Sequence, residues 1–497
     1  MSVTSVIARH AAPVALILAY ATLVYFPITR TFFHEDDFLH LYDIVTNPPL
    51  RFILKMNGGH LLLLPEVVFW VTHALAGPNP APYMWTELVF HLLNAVLLYA
   101  IANALMRRRW LASGCVIAWS TMLLQEGTLN AYTVFEQTLC VFFVLLALLR
   151  IVRSMQRPAL SWAAASTAGL ATIAASCCFG TGLATGAAMP LVALLLVPPS
   201  QARRRLVIAL VAAMPVALVL YFAVESYNIA SFGAAPAMAV APRDAHSFQR
   251  TAALIWHLVA VGTTALSLDG LFRPALYPSP ISALALATTA AIVLFGARVA
   301  APAERRALTA MLLLCLAAYA IIAAGRGFIP IPPERVAMWP RYHYTGTAGL
   351  SVAVGLALAA LARRLEAYAR LRHIVFGGWL LCVAVAHQFT PPINNYEPFR
   401  RATASAVAAM RAAAEAAPPG TVVQIENHPF GTGNMLPEMR MFFPGWFAVH
   451  VVFVGGEQIN GRPIRFVEPV ENVRAAAQSV PLGARLVISP KQERQQD

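Results

Sequence analysis

The densest group of ionisable side chains is an acidic run near the start of the chain, where Glu35, Asp36 and Asp37 stand between His34 and Phe38. Three adjacent carboxylates repel one another, so one of them can hold its proton to a higher pH than usual and serve as a general base. The same oxygens can instead bind a divalent cation, or the run can form a solvated acidic turn. The residues alone leave these three interpretations open.

A second group consists of basic side chains that lie apart from the main arginine clusters, and two of them frame a loop with little freedom to move. Arg326 and Arg341 bound a stretch rich in glycine and proline, which favours guanidinium groups that face each other across a cleft. Arginine grips phosphate through two parallel hydrogen bonds, so these residues suggest a phosphate carried by a lipid. Contact with lipid headgroups is the alternative for most of the group. The group comprises Arg51, Lys55, Arg243, Arg250, Arg273, Arg326, Arg335 and Arg341.

Polar side chains also interrupt the second long apolar segment. Glu87, His91 and Asn94 are spaced four and three residues apart, which places them on one face of a helix. Ionisable groups inside a membrane helix are candidates for function, and hydrogen bonding to a neighbouring helix is the alternative. We expect the three side chains to line a substrate cavity. A further outer turn is expected to line the same cavity, and it is bordered by Glu126, Glu136 and Gln137.

The composition determines the surroundings of these groups. Of 497 residues, 59% are hydrophobic and 12% are charged, whereas soluble globular proteins are about 45–50% apolar and about 25% charged. So little polar surface cannot cover a water-exposed particle of this length. The chain is therefore predicted to be a polytopic membrane protein, and the soluble, disordered and disulfide-rich secreted classes are excluded.

The apolar runs predict eleven membrane-spanning helices, because each span needs about 20 predominantly apolar residues. The predicted spans are 12–29, 82–105, 111–125, 131–149, 159–176, 186–198, 206–224, 281–297, 307–324, 343–362 and 373–389. The net charge of +13 is concentrated in arginine clusters that all fall on one side of such a topology. By the positive-inside rule that side is the cytoplasm, which gives a bacterial inner-membrane protein with a cytoplasmic N-terminus. The clusters are at residues 107–109, 150–157, 203–205, 298–306 and 363–372.

Two marginal segments and the tail complete the predicted organisation. Segments 60–76 and 251–267 are apolar but short, and treating both as interfacial or re-entrant helices keeps the arginine clusters on one side. Residues 1–390 then form a helical transmembrane domain, and residues 391–497 form a small periplasmic α/β domain. In that tail, strands are predicted at 422–425, 448–454, 465–467 and 486–489, and helices at 402–417 and 471–478.

In their order and sidedness, these motifs resemble the GT-C superfamily of integral membrane glycosyltransferases, over roughly residues 1–390. Four features carry the resemblance. They are the acidic motif at 34–38, an interfacial segment that opens at Gly59-His60-Leu61 and closes at Gly77-Pro78, the polar face of Glu87, His91 and Asn94, and a late loop that reads Gly-Arg-Gly-Phe at 325–328 and ends in Arg341-Tyr342.

The resemblance implies transfer of a sugar from a polyprenyl-phosphate donor to an acceptor on the periplasmic side, with inversion at the anomeric carbon. In this scheme Asp36 or Asp37, next to Glu35, acts as the general base on the acceptor hydroxyl. The leaving phosphate enters a site formed by Arg326, Arg341 and Tyr342, where positive charge stabilises it. The cavity residues implied in the same way are His34, His60, Glu87, His91 and Asn94.

The implied partners are membrane lipid, the lipid-linked sugar donor, and a glycan, lipid or protein acceptor, with no nucleic acid. No resident cofactor is expected. Metal is optional in this superfamily, and since no second acidic cluster requires a divalent ion, none is favoured here. Two other functions stay open: a transporter or flippase of lipid-linked sugars, and an inactive GT-C-like scaffold. A transporter predicts internal repeats and charged residues at mid-membrane.

Overall fold

A computed structural model describes residues 3–33, 37–233, 245–268, 277–329 and 331–364, together with four short strands beyond residue 421. Within these ranges the chain is almost entirely helical. The helices are α1 Val3–Tyr25, α2 Asp37–Thr46, α3 Pro49–Ile53, α4 Leu63–Ala76, α5 Pro80–Met106, α6 Arg109–Thr121, α7 Glu126–Leu129, α8 Phe135–Ser154, α9 Trp162–Ser176, α10 Gly180–Leu196, α11 Gln201–Phe232, α12 Ala245–Leu268, α13 Pro280–Val299, α14 Pro302–Arg326, α15 Pro333–Ala337 and α16 Tyr344–Arg364. Short 3₁₀ turns lie at Phe26–Arg30, Leu123–Gln125, Tyr132–Val134 and Pro340–Tyr342.

Each predicted span that falls in the described part of the chain overlaps a helix there. Seven helical segments there are long and apolar enough to cross a membrane: His10–Arg30, Pro80–Met106, Tyr132–Ser154, Gln201–Phe232, Pro280–Val299, Pro302–Arg326 and Tyr344–Arg364. The predicted spans 111–125, 159–176 and 186–198 correspond to the shorter helices α6, α9 and α10. The eleventh predicted span, 373–389, lies outside the described residues.

The arginine-rich helix ends lie together at one end of the bundle. Arg363 at the end of α16 forms an ion pair with Glu304 at the start of α14. The Arg205 guanidinium, at the start of α11, donates to the carbonyl of Leu160 at 2.6 Å, just before α9. These contacts give the alternation of helix directions that the arginine clusters predict. We call the opposite end, which carries α2 to α4, α7 and α15, the site end.

Helix α12 begins at the site end, and the residues just before α13 lie beside its middle. Near its start, Thr251 packs against Gly327, just beyond the end of α14. Tyr277, which follows the helix in the chain, lies beside the middle of α12, where its hydroxyl is 2.6 Å from Nδ1 of His257. Tyr277 therefore lies beside the middle of α12 just before α13 begins, in agreement with a re-entrant segment at 251–267.

Helix α4 has the form of an interfacial helix, although it begins later than predicted. The helix starts at Leu63, and His60 lies in the turn before it. At 14 residues it is shorter than a span requires. One face buries Glu66 and Phe69, whereas the other exposes Val71 and 84% of Leu75. An apolar face turned away from the bundle allows a short helix to lie in the membrane surface.

Close helix contacts in the bundle depend on small residues. A Cβ at Gly296 of α13 would lie 2.6 Å from Cα of Ala357 in α16, and a Cβ at Gly346 would lie 2.5 Å from the ring of Tyr319 in α14. Glycine at these two positions therefore allows α16 to pack directly against both neighbours, as small residues do in membrane bundles.

The described strands in the tail are consistent with an α/β unit. Strand β1, Val422–Ile425, pairs in parallel with β4, Arg485–Ile488, and β2, Gln458–Ile459, pairs antiparallel with β3, Arg462–Pro463. A parallel pair requires a long crossover connection, which is typical of α/β folds. The strands predicted at 422–425 and 486–489 are thus found, the second one shifted by a residue. The remaining predicted tail elements lie outside the described residues.

Candidate active site

Two arginines and a tyrosine that the sequence predicts as a phosphate site come together at the site end. Arg326 ends α14, and Arg341 lies in the 3₁₀ turn before α16. Their guanidinium carbons are 6.0 Å and 5.7 Å from the centroid of the Tyr342 ring. Tyr342 is 2% exposed, so both cations lie near one fixed aromatic ring. We call Arg326 and Arg341 the arginine pair.

A third arginine fixes the loop that joins the pair. Arg250, on the re-entrant helix α12, donates to the backbone carbonyls of Gly327, at 3.0 Å, and of Ile331, at 2.8 Å. It also donates to the carbonyl of Ile329. Because one planar guanidinium binds three carbonyls of a short loop, the direction in which Arg326 leaves α14 is set by α12.

His60 lies beside the arginine pair. Its ring packs on Phe179 at a centroid distance of 4.4 Å. Burial, together with the positive charges of Arg326 and Arg341, lowers the pKa of His60 to about 3. The imidazole is therefore neutral at physiological pH. Its Nε2 atom is buried and has no hydrogen-bond partner among the described residues, which leaves a polar atom beside two cations for a ligand to use.

Of the acidic run, only Asp37 is among the described residues; His34, Glu35 and Asp36 lie outside them. Asp37 is the first residue of α2, where a carboxylate interacts favourably with the helix dipole. Its side chain is fully buried, and its Oδ1 accepts a hydrogen bond from the backbone N–H of Thr133 at 2.8 Å. Asp37 thus fixes the start of α2 against the 3₁₀ turn before α8.

The segment between α6 and α8, residues 122–134, brings the arginine pair and Asp37 into one region. We call it the connector. Its Gly127 packs against the turn that holds Arg341, since a Cβ there would lie 2.5 Å from Cβ of Pro340 and 2.9 Å from the backbone nitrogen of Arg341. Thr133, which binds Asp37, is six residues further along. Even fully extended, six residues span only about 20 Å, and the helical turns here shorten that distance.

A buried ion pair links α2 to α4. His40 Nδ1 is 3.0 Å from Oε1 of Glu66, and Asn57 donates to the same oxygen at 3.1 Å. The backbone N–H of His60 in turn donates to the carbonyl of Asn57 at 3.1 Å. Burial alone lowers the pKa of His40, but the Glu66 carboxylate outweighs it and raises that pKa to about 9. A protonated His40 therefore joins α2 to the turn that carries His60.

Glu87, His91 and Asn94 form a hydrogen-bonded layer among four helices. His91 is 2.9 Å both from the Tyr344 hydroxyl, through Nδ1, and from the Ser120 carbonyl, through Nε2. Asn94 donates to the Thr138 carbonyl at 2.8 Å, and Glu87 accepts from the Thr138 hydroxyl. All three predicted residues are fully buried, so the structure shows them joining α5, α6, α8 and α16. Contact of these three with substrate stays a prediction.

The structure assigns other predicted basic groups to local contacts. Lys55 is bound by both carboxylate oxygens of Asp43, at 2.7 and 2.6 Å, and the Arg51 guanidinium lies 4.8 Å from the ring centroid of Phe232. Neither belongs to the arginine pair. Among the described residues, no three His, Cys, Asp or Glu side chains are grouped so that they could hold a metal ion.

Sequence reasoning missed the residues that position the site, above all His40, Asn57, Phe179 and Arg250. His40, Phe179 and Arg250 act through partners far away in the chain, so local spacing contains no signal for them. Asn57 binds Glu66 within the same stretch of chain, but only the fold of the intervening turn brings the two side chains together. Arg250 is among the basic residues that lie apart from the main arginine clusters, and that position is the only indication available from the sequence.

Comparison with known proteins gives a match in structure and none in sequence. No protein-family model matches the chain, and no curated protein matches it. The fold is similar to that of ArnT from Cupriavidus metallidurans in a crystal structure bound to undecaprenyl phosphate, with a TM-score of 0.52 and 15% identity, over 95% of this chain and 89% of that one. This likeness confirms the polytopic helical fold that the resemblance to the GT-C superfamily predicts.

A weaker match is to the archaeal oligosaccharyltransferase AglB from Archaeoglobus fulgidus, in complex with an inhibitory peptide and a dolichol-phosphate. Its TM-score is 0.47 at 13% identity, and the alignment covers 92% of this chain and 64% of AglB.

Proposed function

We propose that this protein is a membrane glycosyltransferase that takes a sugar from a polyprenyl-phosphate donor and transfers it to an acceptor at the site end of the bundle. The fold it shares with ArnT supports a membrane-embedded transferase of this class. The observation that carries the proposal is the arginine pair, which lies near Tyr342 and beside a neutral His60. The turn of Arg341 and the Asp37 side chain both contact the connector, through Gly127 and Thr133.

The chemistry follows from the charges. The acceptor oxygen bonds to the anomeric carbon from the face opposite the phosphate, which inverts the configuration, while the bond between that carbon and the phosphate oxygen breaks. The acceptor proton passes to a loop carboxylate, Asp36 or Asp37. Negative charge develops on the departing polyprenyl phosphate, and the two guanidinium groups stabilise it because they are already held in position.

The two alternatives are less well supported. A transporter of lipid-linked sugars needs charged groups at mid-membrane and internal repeats, whereas here the arginine pair, His60 and Asp37 lie at one end of the bundle. An inactive scaffold has no need for two cations on one ring with a buried imidazole beside them. We infer a periplasmic site end and an inner-membrane location from the placement of the arginine clusters at the other end.

The test separates binding from chemistry. In Asp36→Asn and Asp37→Asn, at least one variant should lose about 100-fold or more of sugar transfer from labelled undecaprenyl-phosphate sugars, since that is the typical contribution of a general base. Both should still bind undecaprenyl phosphate. Arg326→Ala and Arg341→Ala should weaken that binding instead.

Glu334→Gln and Arg335→Ala, on the neighbouring helix α15, are the matched controls and should leave both measurements unchanged. Full transfer by Asp36→Asn and by Asp37→Asn would refute the catalytic assignment.

A further inference from the structure

The connector contains buried polar atoms for which the fold supplies no partner. The Thr128 hydroxyl and both polar atoms of the Asn130 side chain are shielded from solvent, yet none has a hydrogen-bond partner in the described part of the chain. The same is true of Oε1 of Gln137, one turn into α8. These residues are at most 3% exposed. A buried polar atom without a partner costs stability, so several of them within ten residues of chain call for a ligand or ordered water.

Their place in the chain connects this group to the reaction. Thr128 and Asn130 lie between Gly127, which packs against the turn of Arg341, and Thr133, which binds Asp37. The phosphate of the donor belongs at the arginine pair and the base belongs in the acidic loop. In an inverting transfer the sugar must lie between these two groups, because its anomeric carbon exchanges the bond to the phosphate oxygen for a bond to the acceptor oxygen, whose proton the base takes.

We propose that Thr128, Asn130 and Gln137 form the subsite that binds the sugar of the donor. This inference rests on the proposed function. The chemistry favours a neutral polyhydroxyl ligand: a sugar hydroxyl both donates and accepts, and the unpartnered atoms include one amide donor, two amide oxygens and a hydroxyl. Amide oxygens repel a phosphate, so these residues do not extend the phosphate site.

The subsite must open as the sugar enters, because its polar atoms are closed off in the structure. The connector can make that adjustment. It consists of the four-residue helix α7 with 3₁₀ turns on both sides, Leu123–Gln125 and Tyr132–Val134. Short pieces of this kind change conformation locally without disturbing the long helices that they join.

The variants Asn130→Leu, Gln137→Leu and Thr128→Val test the proposal because they keep size while removing the polar atoms. Their binding is compared for undecaprenyl phosphate alone and for undecaprenyl phosphate that carries glucose, galactose, mannose, N-acetylglucosamine or arabinose. The wild type should bind one of the loaded forms at least 10-fold better than the others. Asn130→Leu should lose about 10-fold in affinity for that form and stay within twofold for the unloaded lipid.

Stability provides a second readout that a merely structural role would move in the other direction. Removing an unpartnered buried amide should leave the thermal unfolding temperature unchanged or raise it. Asn228→Leu is the matched control, since this asparagine accepts from Met56 N–H and donates to the Leu54 and Val224 carbonyls. It should lower the unfolding temperature and leave the preference among sugars intact.

The outcomes separate this inference from the function on which it rests. If Arg326→Ala and Arg341→Ala weaken binding of unloaded undecaprenyl phosphate but Asn130→Leu keeps the full sugar preference, the subsite is wrong and the proposed function stands. If Asn130→Leu weakens binding of loaded and unloaded lipid equally, the residue acts through the phosphate site or the fold, and the subsite is again wrong. If the arginine variants bind the unloaded lipid normally, the proposed function itself fails.

Discussion

At the scale of single residues, the ion pair between His40 and Glu66 has the clearest physical consequence. The Glu66 carboxylate is buried and faces His40 and Asn57, while Asp43 and Glu136 add further negative charge near the imidazole. A buried carboxylate is tolerated only when it is paired. The proton on His40 is therefore part of the structure that joins α2 to α4.

The raised pKa of His40 predicts a dependence of stability on pH. The ordinary pKa is 6.5 and the folded value is about 9, so the stabilisation is complete below pH 6.5 and is lost as the pH rises through 9. The unfolding temperature of the wild type in detergent should fall by several degrees between pH 6.5 and about 9.5. Glu66→Gln should be less stable at the lower pH and show a smaller fall.

His73→Gln serves as the control for this experiment. Burial lowers the pKa of His73, so this imidazole is already neutral throughout the alkaline range and its removal should leave the fall unchanged. An equal fall in the wild type and in Glu66→Gln would contradict the assignment of the His40 proton.

The sequence predicts which residues lie close together where their neighbours in the chain restrict the backbone. Arg326 and Arg341 were predicted as a pair because glycine and proline restrict the loop between them, and Tyr342 is adjacent to one of them. Thr128 and Asn130 are ordinary residues of a polar turn. Their distinction is that the fold buries them without partners, and only the three-dimensional arrangement contains that information.

At the scale of elements, the re-entrant helix α12 supports the loop that joins the arginine pair. Its Arg250 binds three carbonyls of the loop that follows Arg326. Helix α12 therefore stabilises the loop between the two arginines of the pair. This contact gives a reason for a re-entrant segment at this place in the bundle.

Substitution of Arg250 should therefore weaken phosphate binding indirectly. Hydrogen bonds from a charged group are worth about 1.5–3 kcal/mol, so Arg250→Ala should free the loop and reduce affinity for undecaprenyl phosphate by about 10-fold. Hydrogen exchange of the peptide over residues 326–332 should rise in parallel. Arg335 is exposed, so Arg335→Ala should change neither quantity. Unaltered exchange in Arg250→Ala would contradict the claim that α12 stabilises this loop.

Long elements were predictable and short ones were not. Each apolar run of membrane length in the described part became a helix, because hydropathy is averaged over many residues. The span predicted at 111–125 instead breaks at Met122, whose extended backbone ends α6 and begins the connector. A break of one residue inside an apolar run does not alter its hydropathy, and α7 is too short to show a period of its own.

At the scale of the whole molecule, the bundle has two chemically different ends. One end carries the arginine clusters, and the other carries the arginine pair, His60 and Asp37. The order of helix directions was predictable from charge alone, since each cluster marks a helix end. The convergence of the connector, α4 and α12 on one site was not, because it depends on contacts between segments distant in the chain.

Cysteine labelling tests the two-ended arrangement in intact cells. Leu50→Cys, on the exposed surface of α3 at the site end, should react with a membrane-impermeant maleimide. Pro199→Cys, between α10 and α11 at the arginine-rich end, should react only after the membrane is opened. The wild type is the blank and measures any reaction of the protein's own six cysteines, of which the five among the described residues are all buried. The reverse pattern would invert the orientation in the membrane.

In the proposed reaction, two like charges near one tyrosine ring favour the spent carrier over the donor. A donor phosphodiester brings one negative charge to Arg326 and Arg341, whereas the spent carrier is a phosphomonoester that approaches two at neutral pH, its second pKa being about 6. The repulsion between the guanidinium groups is therefore relieved most completely by the spent carrier. An enzyme of this kind binds the spent carrier more tightly than the donor, and its turnover depends on how quickly the carrier is released into the surrounding membrane.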